Sequence, residues 1–337
     1  MDRLAEMAGI SGWEIRSRNV VEPGVVWGPG QIMDDGCLGA RACLDAVKPA
    51  WDAAVAAGNP VGMGLGMKNS GLGNGANEVS RSTVRFDPDG TIEVRHCWTE
   101  MGQGIHTVAR QVAVEELGVE PDRIKVVVDT TRELGAGQTT GSRGTVMGSG
   151  SVADACRNAM AGGCEEGVEY EGVYVVDWTN SINDGLENPV IHSTFGYAAQ
   201  LVELDPETGE IAKVVAAHDV GRAVNPLLCE GQIEGAVHMG LGYALTEGFP
   251  CDEHGKPFNE TLRSLDIIRP KDMPPTEVIL VESPDPNSPY GIKGVGEIGL
   301  VPTAGAVAAA LHAHDGEWRH ELPMRTERTR ERASAWS

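Results

Sequence analysis

The sequence predicts an α+β protein made of two related lobes, in which β-hairpins and mixed sheet carry packed helices, and three observations predict it. Thr83 to Phe86, then Asp87-Pro88-Asp89-Gly90, then Thr91 to Val94 reads as strand, turn, strand. Gln200 to Leu204, then Asp205-Pro206-Glu207-Thr208-Gly209, then Ile211 to Ala216 says the same again. Each hairpin is followed by a Gly-Gln pair beside a predicted helix, Gly102-Gln103 and Gly231-Gln232. Hairpins with helices packed on them give the α+β class, and the spacing places the lobes at roughly 60–165 and 185–315.

Local signals then fill in the elements. Ser11 followed by Glu14 is a capping-box pattern for a short helix through Trp13 and Ile15. Ala- and Val-rich sequence from about Leu38 to Ala57 reads as a helix interrupted near Pro49, and Gly58-Asn59-Pro60 as a boundary. Val108, Val112, Val114 and Leu117 space a helix ending near Gly118. Ser149 to Cys156 reads as another. Asn225-Pro226 is an N-cap and first-turn pair, and a last helix runs from Ala304 to His312 after Pro302.

The chain has 337 residues, 41% hydrophobic and 23% charged, which suits a globular protein of one or two domains. A formal net charge of −22 excludes a nucleic-acid partner, which needs a basic surface. An anionic ligand would have to be held by backbone donors and polar side chains. No apolar run reaches membrane-span length, and the opening residues lack the basic and apolar regions of a signal peptide, so a cytoplasmic location without a membrane partner is expected. The seven cysteines contain no CxxC pair, which fits reduced thiols rather than a zinc or iron–sulfur site.

Four stretches carry chemistry. In Glu100-Met101-Gly102-Gln103-Gly104-Ile105-His106-Thr107, glycines flank a Gln where strand turns into helix, and a helix start there offers unpaired N–H groups to an anion. Taken alone, it reads as well as a tight turn with a solvated Gln. The loop Gly135 to Thr145, with Thr140, Gly141 and Ser142 at its centre, is rich in hydroxyls and glycine and can wrap a phosphate. It reads equally as a surface loop, with Arg143 an ordinary surface charge. From Asn225 to Gly242 glycines recur on a helix, where each costs roughly 1 kcal/mol against Ala unless close packing or an approaching ligand compensates. In Lys293-Gly294-Val295-Gly296-Glu297-Ile298-Gly299 a lone carboxylate sits on a glycine-bracketed loop before a helix. Burial there would raise its pKa and make it a base, the alternative being a solvated Glu. Gly62 to Gly66 and Gly71 to Gly75 look like nucleotide loops, but their spacing is neither GxGxxG nor a P-loop. His96, His106, His192, His218 and His238 lack metal-ligand spacing and read as structural.

In this order and spacing, EMGQGIHT, TTGSRGT, VNPLLCEGQIEGAVHMGLGYAL and KGVGE resemble the large subunit of the molybdenum hydroxylases, the xanthine dehydrogenase/aldehyde oxidase family. The likeness runs from Gly58 to Asp315. The wording HSTFGYAAQ and VAAHDVGRAVNP is most similar to the selenium-dependent xanthine dehydrogenases. The resemblance implies a molybdopterin cofactor, commonly the cytosine dinucleotide in bacteria. Gly102, Gln103 and Gly104 would lie at its molybdenum end, Thr140, Gly141 and Ser142 would contact cofactor or substrate, and Gln232 would bind the pterin or its phosphate. Glu297 would be the catalytic base in oxidation of a purine or aldehyde with water-derived oxygen. Electrons would leave through iron–sulfur clusters and flavin on other chains.

Two departures stand out. Position 238 is His where many relatives carry Gln, and no Gly-Gly-x-Phe-Gly loop precedes Gly58. Residues 1–57 are therefore read as the remnant of a first molybdopterin-binding domain, 58–320 as the second, and 321–337 as a polar tail. The chain then works with a partner carrying the first half, and its leading helices expose apolar surface meant for that partner. The alternative is an inactive fragment that binds cofactor or partner without catalysis.

Overall fold

The computed structural model describes residues 1–128, 132, 134–135, 138–258 and 261–324. Gly135 to Thr145 is thus described apart from Ala136 and Gly137, and the tail beyond Met324 lies outside the described residues. The chain opens with α1 (Asp2–Ala8), α2 (Gly12–Asn19), a ribbon of β1 (Val26–Trp27) and β2 (Gln31–Ile32), α3 (Leu38–Ala46) and α4 (Lys48–Ala57). The Ser11 hydroxyl accepts the Glu14 N–H at 3.0 Å and starts α2, but the Glu14 carboxylate pairs with Arg18 instead of closing the box. The helix expected over 38–57 breaks at Val47. Pro49 falls in the first turn of α4, where its missing N–H costs nothing.

Next come β3 (Val61–Ser70), β4 (Glu78–Phe86), β5 (Ile92–His96), α5 (Ile105–Leu117), β6 (Ile124–Val127), α6 (Gly144–Ala161) and β7 (Glu169–Val176). They are followed by β8 (Thr194–Leu204), β9 (Ile211–Asp219), α7 (Pro226–Leu245), β10 (Thr276–Val281) and α8 (Thr303–Asp315). Both expected hairpins are present, as β4–β5 and β8–β9. Two four-stranded sheets result, in the orders β6-β5-β4-β7 and β10-β9-β8-β3.

The sheets share one plan. An antiparallel hairpin leads into a helix, α5 or α7, then a strand parallel to the hairpin's second strand, β6 or β10, then a second helix, α6 or α8. An outer strand runs antiparallel to the hairpin's first strand, β7 on β4 and β3 on β8. The origin of that outer strand differs. β7 follows α6, whereas β3 precedes both hairpins, so residues 61–70 belong to the second sheet and not to a first lobe starting near 60.

Packing explains the glycines of β3. In a strand, alternate residues share a face. A Cβ on Gly62 would lie 2.2 Å from the Ala310 nitrogen and 2.3 Å from the Ala306 oxygen, and one on Gly64 would lie 2.2 Å from the Pro302 oxygen. Helix α8 therefore rests on bare strand backbone, and the stretch that looked like a nucleotide loop is a packing seam. The first lobe repeats the device: a Cβ on Gly172 in β7 would lie 2.1 Å from the Ala155 nitrogen and 2.3 Å from the Ser151 oxygen of α6.

The second sheet is covered on both faces. Cys37, Cys43, Leu44 and Val47 of the leading segment pack on Met63, Phe195, Tyr197 and Leu201. On the other face Ile233, Val237 and Leu241 of α7 and Val307 and Ala310 of α8 pack on Val202, Leu204, Val214 and Ala216. Residues 1–57 thus close this core. They also leave Met7 and Val26 exposed by 78% and 60%.

Gly62→Ala and Gly172→Ala are each expected to lower unfolding stability by about 1–3 kcal/mol, since the methyl meets helix backbone that cannot rotate away. Urea unfolding of both variants checks this, and wild-type midpoints would contradict the seam.

Candidate functional site

The loop before α6 and the loop before α8 meet at Ser142. Its Oγ donates to Glu297 Oε2 at 2.8 Å and accepts the Glu297 N–H at 3.0 Å. Lys68 Nζ reaches the same oxygen from β3 at 2.6 Å. Contact this close needs glycine. A Cβ on Gly294 would lie 1.9 Å from the Ser142 carbonyl oxygen, while the Gly294 N–H donates to Ser70 Oγ at 3.0 Å. Ser142 itself takes a left-handed φ of 53° behind Gly141 at 65°. That conformation costs a non-glycine residue on the order of 1 kcal/mol or more and persists only where neighbours enforce it.

Two buried ion pairs enforce it. Arg143 is not a surface charge: it is 4% exposed, pairs with Glu78 at 2.8 Å, and donates to the Gln138 carbonyl. Glu78 also accepts the N–H groups of Leu72 and Gly73, and Gly71 donates to the Gly141 carbonyl at 2.7 Å, so the turn after β3 is tied to the hydroxyl loop. Lys293 anchors the other loop. Its ammonium is fully buried, bound to Asp219 at the end of β9 and to the Gly36 carbonyl at 2.6 Å. Burial pushes the Asp219 carboxyl up, and Lys293 pulls it back.

Glu297 does not take the raised pKa expected of a buried base. Its side chain is 50% exposed. Partial burial lifts its pKa, but Lys68 and Ser142 outweigh that and set it below the ordinary carboxylate value. It is an anion held in place, and no hydrogen-bond or ion-pair partner of its Oε1 is found among the described residues.

Glu100 takes up N–H groups in the turn before α5 and in its first turn: Oε1 accepts from Gly102 and Gly104 at 2.8 and 2.9 Å, and Oε2 from His106 at 3.4 Å. Burial raises the Glu100 pKa and these donors lower it, with a net lowering. The carboxylate thus competes for part of the N–H cluster that the sequence pattern offers a ligand. The Gln103 amide is engaged inside the same turn, donating to the Thr99 carbonyl and accepting from Met101, both at 2.7 Å. The Thr99 N–H donates to Thr139 Oγ1 at 3.0 Å, which ties this turn to the hydroxyl loop, with Thr140 exposed beside it.

Helix α7 begins as expected, Asn225 accepting the Leu228 N–H at 3.1 Å and Pro226 in the first turn. Gln232 donates to the Gly296 carbonyl at 3.4 Å, one residue from Glu297. The glycines of α7 divide by face. Gly240 packs on Thr303 and Gly242 on Glu247, whereas a Cβ on Gly231 or Gly235 would meet nothing within 4 Å. Those two lie in an exposed four-residue stripe between Leu227 and Met239.

The residues brought together are therefore Ser142, Glu297 and, through Gly296, Gln232. Gln103 joins through Thr99 and Thr139. Sequence reasoning missed Lys68, Glu78 and Asp219, which lie outside any recognisable loop or are charged partners set by tertiary contact, and it gave Glu100, the first residue of a stretch it singled out, no role. His238 is engaged by the Ile268 carbonyl at 2.7 Å. Among the described residues no group of three or more His, Cys, Asp or Glu is placed to hold a metal ion.

The sequence matches the family of the molybdopterin cofactor-binding domain over residues 44–165 and 159–274. The chain belongs to this molybdopterin-binding family. It is 30% identical to the gamma subunit of the 6-hydroxypseudooxynicotine dehydrogenase complex of Paenarthrobacter nicotinovorans, over 80% of this chain and 39% of that one. It is 28% identical to a probable xanthine dehydrogenase subunit of Bacillus subtilis, over 97% and 50%. The aldehyde oxidoreductase structure from Desulfovibrio gigas superposes with a TM-score of 0.85 at 25% identity, covering 98% of this chain and 39% of that one. The molybdopterin-binding chain thus spans half or less of the length of these relatives, and it carries the α+β fold of the xanthine dehydrogenase/aldehyde oxidase type.

Stability is expected to fall on acidification through two buried histidines. Burial, then His106, pushes His96 down to about 4, and burial pushes His218 down to about 3. The unfolded chain binds protons at these histidines near pH 6.5 while the native state refuses them. Their contribution is thus intact above that pH and lost as pH falls from about 6.5, down to about 4 for His96 and about 3 for His218, at roughly 1.4 kcal/mol per pH unit for each. Urea unfolding across this range checks it, and His218→Met should flatten the slope.

Proposed function

We propose that this chain is the cofactor-holding, base-bearing part of a molybdenum hydroxylase that oxidises a purine or an aldehyde, acting with a partner chain that completes the pocket. The observation that carries the reading is the Glu297 carboxylate, fixed through Oε2, with no partner of Oε1 among the described residues, where two loops meet over strand β3. The surroundings fit a molybdopterin. Gln232 holds one long bond, Thr140 and Gly102 are exposed, and the open face of α7 at Gly231 and Gly235 lets a planar ligand approach backbone. Thr140, Gly141, Ser142 and Gln232 would hold the group, with Gly102, Gln103 and Gly104 at its edge. Backbone and neutral amides suit a ligand whose charge must be met on a chain of net charge −22. The cytosine dinucleotide form is the one proposed. When bound, the molybdenum cofactor supplies two-electron oxidation of the substrate carbon.

The chain's own residues supply the proton chemistry. Glu297 is ionised across the neutral range, so Oε1 can accept a proton from the oxygen that is transferred. Ser142 and Lys68 keep the carboxylate from rotating as it does so. Iron–sulfur and flavin centres are assigned to other chains. Seven free thiols fit a reducing, cytoplasmic setting, and no helix among the described residues is long and apolar enough to cross a membrane.

In the complex co-expressed with its partner in a molybdenum-replete host, Glu297→Gln is expected to keep its molybdenum and lose about 10²–10⁴-fold in turnover with xanthine or an aldehyde. Metal analysis and dye reduction read the two separately. Retained turnover in a metallated Glu297→Gln enzyme would overturn the assignment. Gln232→Ala is expected to lower molybdenum content instead, because it removes a polar contact to a buried ligand.

A further inference from the structure

The inner face of β3 changes character along its length. Gly62 lies under α8, Gly64 and Gly66 under Val301 and Pro302 at its entry, and two residues on, Lys68 and Ser70 lie under the loop that precedes it. Opposite Lys68 the paired residue on β8 is Gly196, where a Cβ would lie 3.1 Å from the Gly294 oxygen, so the loop rests low on the sheet beside Lys68. Ser70 then takes the Gly294 N–H, and Lys68 takes Glu297. Lys68 is 20% exposed and Glu297 50%, so this pair is partly shielded rather than a free surface contact.

We propose that Lys68 is a positioning residue for Glu297, clamping Oε2 together with Ser142 so that Oε1 alone faces the reacting oxygen. This rests on the reading of Glu297 as the base and adds a residue to it. A carboxylate on a loop can rotate and offer either oxygen. Two donors on one oxygen remove that freedom, and the other oxygen keeps its lone pairs for the proton. Ser142 alone would hold the oxygen but supply no charge. Lys68 supplies it, and by favouring the anion it keeps the base ready at lower pH. Ser142, from the loop before α6, is the neutral group facing Glu297, and Lys68, from β3, the charged one. Lys68 also faces His192, whose pKa is lowered first by burial and then by Lys68.

The test is Lys68→Met with Lys68→Arg as the conservative control. In protein labelled at the glutamate carboxyl carbon, with Glu297→Gln identifying the resonance, the Glu297 titration midpoint should rise in Lys68→Met and return in Lys68→Arg. Added salt should narrow the difference between wild type and Lys68→Met, because the pair is partly exposed. In the molybdenum-loaded complex, Lys68→Met should lose kcat rather than raise KM, with the loss largest at acid pH and molybdenum content unchanged. An unmoved Glu297 midpoint overturns the proposal. A raised midpoint with an unmoved pH–rate profile upholds the clamp and overturns instead the assignment of Glu297 as the base.

Discussion

Two loop backbones press together where Ser142 meets Gly294, and the arrangement around Glu297 follows from that contact. A methyl group on residue 294 would sit 1.9 Å from a carbonyl oxygen. With glycine there, the Ser142 hydroxyl comes within reach of both the N–H and the carboxylate of Glu297. Ser142 must then adopt a left-handed backbone, which it would leave if its loop were loose. The strain is held because Arg143, the next residue, is fixed in a buried ion pair and Gly141 is bonded to the turn after β3.

The ion pairs that hold the loops are expensive to bury, and each is compensated. Arg143 meets Glu78, donates twice to the Gln138 carbonyl, and lies over the face of Trp98 at 5.4 Å. Lys293 meets Asp219, the Gly36 carbonyl and the Tyr197 ring. Replacing such pairs by apolar groups can be neutral for stability, whereas removing one partner strands the other. Their value here is therefore one of register: each fixes a loop to a sheet, Lys293 to the end of β9 and Arg143 to the start of β4. The leading segment takes part through Gly36, so residues 1–57 support the Glu297 loop as well as covering a core.

Much of this was legible where glycine or a cap residue is the signal. Asn225-Pro226, Gly118 and the two Asp-Pro hairpin turns placed α7, the end of α5 and both hairpins. The KGVGE and TTGSRG stretches each hold a glycine that the structure requires, Gly294 and Gly141. Other features were not legible because they depend on distant partners. Residues 61–70 carry the same pattern whichever sheet they join, and their pairing with β8 and the approach of α8, both distant in sequence, decide it. Glu100 looked like the start of a ligand loop because a capping carboxylate and a ligand anion satisfy the same N–H groups. Arg143 read as an ordinary charge, and Lys68 was passed over, because burial is not written in the residue itself.

The internal repeat explains why the pieces meet. Ser142 lies in the loop that precedes α6, and Glu297 in the loop that precedes α8, which are the same place in the two copies of one plan. Gln103 stands before α5 and Gln232 within α7, again in matching parts of the two copies, although Gln232 is inside its helix and Gln103 outside. The copies have diverged in what these positions carry. The first supplies a hydroxyl and a strained backbone, the second a carboxylate. Neither lobe holds both, so the Ser142–Glu297 contact exists only when the two sheets are packed together. Strand β3 reinforces this. It lies in the second sheet, and the turn that follows it is bound to the loop of the first at Gly141 and Arg143. The copies are joined a second time away from Ser142, where Gln111 of α5 donates to the Val224 carbonyl and accepts from Asn225, the N-cap of α7, so the Ser142–Glu297 contact is one of several bonds that hold the two sheets together.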